Sequence, residues 1–211
     1  MTAFGPAWYS VACGSNMPAL VELTDDFYTA FCDMADDFLA EGDNRYSRHS
    51  SPGAFSDYLA EIERYKNPRT VPVGMVCSWS WFLQDDDGRL LGGIRFRPEL
   101  NEGLLIEGGN IGYDVRPSAR NQGYATEMLR MVLDIASKRK MKRVLVTCFT
   151  DNPASARVIT KCGGVMESIE SSPRTGKMTE RYWISLDNGS LEAPPWAGSP
   201  EPAREPLPED P

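Results

Sequence analysis

Residues 110–139 read NIGYDVRPSARNQGYATEMLRMVLDIASKR, and two of them, Pro117 and Gly123, divide the run into three parts. Proline lacks an N–H and bars its predecessor from the α region, so Arg116 ends an extended segment. Beyond Gly123, the residues Tyr124, Met128, Met131, Val132 and Ile135 recur at helical spacing. A strand, a turn and an amphipathic helix, spanning roughly residues 121–139, therefore follow one another directly. Any fold for this chain has to accommodate that unit.

The turn is Arg120-Asn121-Gln122-Gly123-Tyr124-Ala125-Thr126, with small residues at 123 and 125. Glycine at a helix start costs about 1 kcal/mol relative to alanine. A helix N-terminus presents unpaired backbone N–H groups and the positive end of the dipole. Small side chains there let a diphosphate approach those donors, and Arg120 adds charge. The alternative is an ordinary strand-to-helix turn whose glycine only relieves crowding. The loop by itself leaves both readings open.

The rest of the chain supplies context. Residues 1–16 carry no periodicity and are expected to form an irregular extension. Residues 17–70 read as helical: Phe27, Phe31, Met34 and Phe38 mark one apolar face, with Thr24 as N-cap before Asp25 and Asp26. A second helix is expected from Pro52 to Tyr65. From residue 76 the period changes: VCSWSWFLQ, DDDGR and LLGGIRFRPEL read as strand, turn and strand, with Asp87-Gly88 as the hairpin signal. NIGYDV is a third strand, and KRVLVTCF (142–149) is a short β-branched run suited to a buried one. Asn152 as N-cap, Pro153 at N1 and the Gly163-Gly164 stop bound another helix. GVMESIES and TERYWISL are the closing strands. The stretch from Asp187 to the end is acidic, holds seven prolines and is expected to be disordered.

This order predicts an α/β (α+β) fold: a mixed, mostly antiparallel central sheet flanked by helices, with one β-α-β crossover. One domain covers 17–186, comprising N-terminal helices at 17–70 and a sheet core at 76–186, with 187–211 as the tail.

Composition removes several functions. His49 is the only histidine, which argues against a histidine-based metal cluster, so no metal is expected. A net charge of -8 argues against a nucleic-acid backbone as partner. No apolar run is long enough to cross a bilayer. The N-terminus lacks the pattern of a secretory signal. The five cysteines are an odd number without C-x-x-C spacing, so they read as reduced thiols of a cytoplasmic protein.

A strand ending in Val-Arg-Pro, then Arg-x-x-Gly-x-Ala opening a helix, a buried strand and DNPAS opening the next helix form a long ordered signature. It resembles the GNAT superfamily of acetyl-coenzyme A-dependent N-acetyltransferases, whose pyrophosphate loop matches at Arg120, Gly123 and Ala125. RFRPELNEGLL, GGNIGYDVRPSARNQGYATEML, KCGGV and RYWI are similar to a group of bacterial predicted acetyltransferases. Against that group, residues 1–16 look like an extension before the usual start.

The resemblance implies acetyl-CoA as co-substrate and a gap between NIGYDV and RVLVTCF. The pantetheine arm would pair there with the main chain of Tyr113, Asp114 and Val115. The Tyr113 N–H would polarise the thioester carbonyl. Arg120, Asn121, Gln122, Gly123, Tyr124, Ala125 and Thr126 would cradle the pyrophosphate, and Asn152 would touch the pantetheine arm. Asn152 also reads as a plain N-cap.

Direct attack by an amine needs a base and a proton donor but no protein nucleophile. The family's usual glutamate position is Gly109 here, so Glu107, two residues earlier, becomes the candidate base, with Glu99 and Glu102 as weaker alternatives. Glu107 can equally be a solvated acid on a strand edge. The family's usual tyrosine donor is replaced by Ile159. Ser155, three residues after Asn152, is the remaining candidate acid, with helix capping as its other reading.

The implied acceptor is a primary amine of a small molecule or peptide. Arg97 could hold an acceptor carboxylate or pair with Glu99, and the acid-rich helix TDDFYTAFCDMADDF could attract a cationic amine. The family resemblance also allows a homodimer. An acetyl-CoA-sensing module without turnover is the competing reading, motivated by Gly109 and Ile159.

Overall fold

The turn between Asp85 and Arg89 organises the middle of the chain. The Asp85 carboxylate accepts from the N–H groups of Asp87 (3.1 Å) and Arg89 (2.8 Å), which closes the expected hairpin at Asp87-Gly88. The computed structural model describes residues 18–186. The expectations for residues 1–16 and 187–211 lie outside them.

In chain order the elements are β1 (Ala19–Val21), α1 (Tyr28–Ala40), α2 (Pro52–Tyr65), β2 (Trp79–Gln84), β3 (Leu90–Phe96), α3 (Glu102–Ile106), β4 (Ile111–Val115), α4 (Tyr124–Lys138), β5 (Arg143–Phe149), α5 (Pro153–Lys161), β6 (Gly164–Ser171) and β7 (Met178–Ser185). The sheet order is β1-β2-β3-β4-β5-β7-β6. Every pairing is antiparallel except β4 with β5, which α4 connects. The mixed, mostly antiparallel sheet with one β-α-β crossover is as expected.

Strand alternation separates two cores. Phe82 and Leu90 pack with Phe31, Met34, Phe38, Phe55 and Tyr58 of α1 and α2 on one face. Trp81, Leu83, Ile94, Phe96 and Ile111 pack with Met128, Leu129 and Val132 of α4 and Ile159 of α5 on the other. Phe31, Phe38, Phe55 and Phe82 are almost wholly removed from solvent, each stabilising the fold by about 1.5–3 kcal/mol.

Three local expectations differ. The segment read as helical from residue 17 opens instead with β1, which pairs Leu20 to Leu83. The open edge of β2 supplies backbone partners that a short isolated helix cannot match. Thr24 precedes a 3-10 turn (Asp25–Phe27), and its side chain makes no capping bond. The segment before β4, where Glu107 was expected on a strand edge, contains α3 instead, capped by the Asn101 side chain accepting from Leu104 N (3.0 Å).

Candidate active site

Strands β4 and β5 pair at one position, Ile111 with Val146. The cause lies just before β4. Asn110 is 2% exposed; its N–H donates to Leu145 O (2.7 Å), its Oδ1 accepts from Leu145 N (2.8 Å), and its Nδ2 donates to Arg97 O (2.7 Å). This side chain bridges β3 and β5 where the third strand begins to diverge. Gly109, the neighbour, has φ 59°, and a Cβ there would sit 2.5 Å from Leu145 O. No side chain, glutamate included, fits at 109 without moving β5.

Ladder phase decides which main-chain groups face the gap. Arg97 N donates to Asn110 O and Arg116 N to Leu91 O, so even-numbered residues of β4 bond to β3. The N–H and C=O groups of Tyr113 and Val115 therefore point toward β5, past the end of its pairing. Asp114 departs from expectation. Its main chain belongs to the β3 ladder, and its carboxylate lies on the α1 face, 3.2 Å from Arg45 Nη1 and 3.0 Å from the Tyr46 hydroxyl. Burial, opposed by Arg45, Tyr46 and the Gly93 N–H, raises its pKa above the usual carboxylate range.

The loop after β4 is fixed from below. Arg116 is 4% exposed and pairs with Asp37 and Asp33 of α1, each at 2.7 Å. Ser118 adds bonds from its N–H and hydroxyl to Asp37. After a 3-10 turn (Pro117–Ala119), Asn121 (φ 63°) and Gly123 (φ 93°) adopt left-handed conformations. The glycine thus lies outside the helix, as the N-cap of α4, where φ is closed to most residues. The first helical bond in this turn runs from Glu127 N to Gly123 O, leaving the N–H groups of Tyr124, Ala125 and Thr126 without helical acceptors. Arg120 pairs with Glu41 (2.6 Å), and its Nε donates to Val115 O (3.3 Å). Gln122 Nε2 donates to Ser118 O.

A cavity of about 580 Å³ joins these parts, with Tyr113, Val115, Arg120, Gly123 and Thr126 on one wall and Asn152 and Ser155 on the other. Asn152 Oδ1 accepts from Ser155 N (3.0 Å), the expected N-cap. The Ser155 and Tyr113 hydroxyls are 2.9 Å apart. Burial keeps the Tyr113 phenol protonated well beyond its ordinary range. Cys148 nearby is pushed up to about 12 by burial and by Glu180, so it stays a thiol at neutral pH.

Across the sheet, a second cavity of about 390 Å³ lies between α2, β2, β3, α3 and the β6–β7 turn. Glu107 lines it, but not from a strand: it ends α3, and its carboxylate accepts from Arg174, Ser172 and Thr175. Glu99 and Glu102 are exposed. Arg97 lines the cavity and forms no ion pair with Glu99. Of the acid-rich segment, Asp33 and Asp37 pair with Arg116, and Glu41 just beyond it pairs with Arg120, whereas Asp25, Asp26 and Asp36 make no ion pair among the described residues.

Among the described residues, no helix is long and apolar enough to cross a membrane, and no group of His, Cys, Asp and Glu is placed to hold a metal ion. Asn110 and Arg116 were missed from sequence. The signal for Arg116 was its place beside Pro117, opposite an acid pattern of period four in α1.

A family model described as acetyltransferase (GNAT) domain matches residues 20–165. The ribosomal-protein α-N-acetyltransferase RimL in complex with coenzyme A shares the fold at TM-score 0.62 and 16% identity, over 82% of this chain and 97% of that one. The microcin self-immunity acetyltransferase MccE, in complex with acetyl-CoA and AMP, does so at 0.61 and 11%, over 81% and 93%. A chimeric spermidine N-acetyltransferase SpeG from Vibrio cholerae does so at 0.57 and 14%, over 81% and 96%. At these identities the structures share a fold. No curated protein matches the chain. The matched segment runs from β1 to the start of β6 and contains the diverging strands, the loop and both following helices: the chain belongs to the GNAT acetyltransferase family.

Proposed function

We propose that the protein is an acetyl-CoA-dependent N-acetyltransferase that acetylates a primary amine of a small molecule or peptide by direct attack on the thioester. The observation that carries this reading is the divergence of β4 from β5 directly beside the Gly123-capped start of α4. The cleft fits the co-substrate in kind. The N–H groups of Tyr124, Ala125 and Thr126 suit a pyrophosphate, with Arg120, Asn121, Gln122 and Gly123 completing the cradle. Tyr113 and the Val115 N–H offer unpaired strand-edge groups to the amides of a pantetheine arm, with the Val115 carbonyl already accepting from Arg120, and Asn152 stands on the opposite wall. When bound, acetyl-CoA supplies the acetyl group as a thioester.

The chain's own groups then have three tasks. The Tyr113 N–H donates to the carbonyl oxygen as negative charge grows there. The Ser155 hydroxyl, backed by the Tyr113 phenol, delivers a proton to the departing sulfur. The amine proton passes to a carboxylate on the acceptor side. Glu107 was the sequence candidate, and three donors now hold it. Asp114 is the alternative base: Arg45, Tyr46 and the Gly93 N–H hold it too, but burial makes it more basic and it lies one residue from Tyr113.

The engagement of Glu107 favours the second reading, a module that binds acetyl-CoA without turnover. One experiment separates the two: calorimetric titration with acetyl-CoA, with a Gly123→Glu variant beside it, followed by free-thiol release across an amine panel. Binding lost in the folded variant, with amine-dependent thiol release in wild type, supports the enzyme. Binding without release from any amine leaves the sensor. No binding to wild type overturns both.

A further inference from the structure

The cavity on the acceptor side carries a charge opposite to that of the whole chain. Arg48, Arg95, Arg97 and Arg174 line it, with Glu61 and Glu107 as the acids. Arg174 and Glu107 satisfy each other, which leaves three guanidinium groups facing one carboxylate in a protein of net charge -8. By contrast, Arg45, Arg116, Arg120 and Arg181 are each matched to carboxylates, and Arg139 and Arg143 lie over the Trp79 and Trp183 rings.

Inside the cavity the arginines have neutral partners. Arg48 Nε donates to His49 Nε2 (2.8 Å), an imidazole whose pKa is lowered by burial and by Arg48 itself. Arg95 Nε meets Ser80 Oγ at 3.3 Å, and Arg97 Nη1 meets Gly109 O at 3.4 Å. Among the described residues, no carboxylate lies within ion-pair distance of Arg95 or Arg97. Burial, with Arg95 adding repulsion, lowers the Arg97 pKa to about 10. Arg97 is half-buried and Arg95 and Arg48 are exposed, so their charge is open to an anion that enters the cavity.

Their position ties them to the chemistry. Arg95 pairs across the ladder with Gly112. A Cβ at Gly112 would lie 3.9 Å from Arg97 Nη1, so this guanidinium covers bare backbone next to Tyr113. A smaller pocket of about 120 Å³ is lined by Arg95, Arg97, Gly112 and Asp114 and shares its arginines with the larger cavity. An acceptor held there would set its amine beside Asp114, the residue after Tyr113, with the rest of the molecule against Arg95 and Arg97.

We propose that this cavity is the acceptor subsite and that Arg95 and Arg97 select a small primary amine bearing a carboxylate or phosphate, an amino-acid-like zwitterion rather than a polycation. The assignment rests on the acetyltransferase reading and gives it a substrate class. In the step it serves, the amine lone pair attacks the thioester carbonyl, a C–N bond forms and the C–S bond breaks. The amine proton goes to Asp114 and leaves it for solvent, while the sulfur takes a proton from the Ser155 hydroxyl, which the Tyr113 phenol and then solvent restore. The products are an N-acetylated anion and free coenzyme A. A polyamine would bring positive charge against three arginines and find only Glu61 unpaired.

The test compares matched acceptors by thiol release: amino acids against their carboxamides, phosphoethanolamine against ethanolamine, and spermidine alone. The first pair reads carboxylate and the second reads phosphate. Acetyl-CoA binding is titrated in parallel, so a protein that fails to bind it defeats the acetyltransferase reading and not merely the acceptor class. At least one anionic member should exceed its neutral partner in kcat/KM by on the order of 10²-fold, the discrimination expected from a charged hydrogen bond. Arg97→Gln and Arg95→Gln should erase that ratio while acetyl-CoA affinity holds. With acetyl-CoA bound, equal rates within each pair, preference for spermidine, or no turnover of any anionic amine overturns the proposal. So does an arginine variant that retains the ratio.

Discussion

The hydroxyl oxygens of Tyr113 and Ser155 lie 2.9 Å apart, one from β4 and the other from the first turn of α5. The pair links the proton donor to the strand edge, because Tyr113 also aims its N–H into the gap between β4 and β5. A serine hydroxyl alone is a poor acid, but one that is re-protonated by a neighbouring phenol can pass a proton on.

Removing either hydroxyl should therefore slow chemistry and spare binding. Ser155→Ala is expected to lower kcat by about 10²-fold, within the range for general acid catalysis, with acetyl-CoA affinity nearly unchanged. Tyr113→Phe should give a smaller loss, since water can replace the phenol behind the serine. The check is steady-state kinetics beside calorimetry. An unchanged kcat in Ser155→Ala assigns the serine to helix capping only.

The two carboxylates on the acceptor side make opposite predictions. Burial raises the Asp114 pKa, so the acidic limb of the kcat/KM profile should lie above the ordinary carboxylate range and vanish in Asp114→Asn. Glu107→Gln should keep that limb, because Arg174, Ser172 and Thr175 hold Glu107 in a structural role. A pH–rate profile of each variant decides between them. If Glu107→Gln alone loses the limb, Glu107 is the base.

Arg116 beneath the loop should govern stability. Its side chain is 5% exposed and faces Asp37, itself 20% exposed. Removing one partner of such a pair costs about 3–5 kcal/mol in buried settings, and Asp37→Asn should approach the lower end because Asp33 still serves Arg116. Burial alone would raise the Asp37 pKa, but hydrogen bonds from Ser118 and Arg116 outweigh it and leave the pKa lowered. The contribution is then complete above the unfolded carboxylate value of about 3.9 and lost as pH falls through the lower folded value. Urea denaturation as a function of pH should show that loss in wild type and not in Asp37→Asn.

Asn110 should be irreplaceable for shape. Asn110→Ala leaves the Leu145 N–H and the Arg97 carbonyl without partners in a buried site, at about 1–3 kcal/mol each. The folded fraction should bind acetyl-CoA more weakly, as β4 and β5 lose the bridge that sets their divergence. Chemical denaturation and calorimetry measure the two effects, and a variant weakened in stability alone would show that the gap is set elsewhere.

Much of this architecture is legible in the sequence because its signals are local. Pro117, Gly123, Asn152 and the Gly163-Gly164 pair punctuate the chain through backbone preferences that hold in any context, and the 3.6-residue period in 124–135 fixes the face of α4. The helical reading of 17–23 failed because β1 exists only where β2 offers it an edge. Glu107 was set on a strand because nothing local reveals that Asn101 caps a helix five residues long.

What the sequence by itself determined is therefore the order of elements and the glycine-capped turn, each a property of a few neighbouring residues. Tertiary structure alone decided the partners: that the Asp114 main chain joins the β3 ladder, that Asp33 and Asp37 serve Arg116 and Glu41 serves Arg120, and that Arg95 and Arg97 meet no carboxylate. Ion pairing and desolvation depend on which distant side chains the sheet brings within a few ångströms, and no spacing along the chain encodes that.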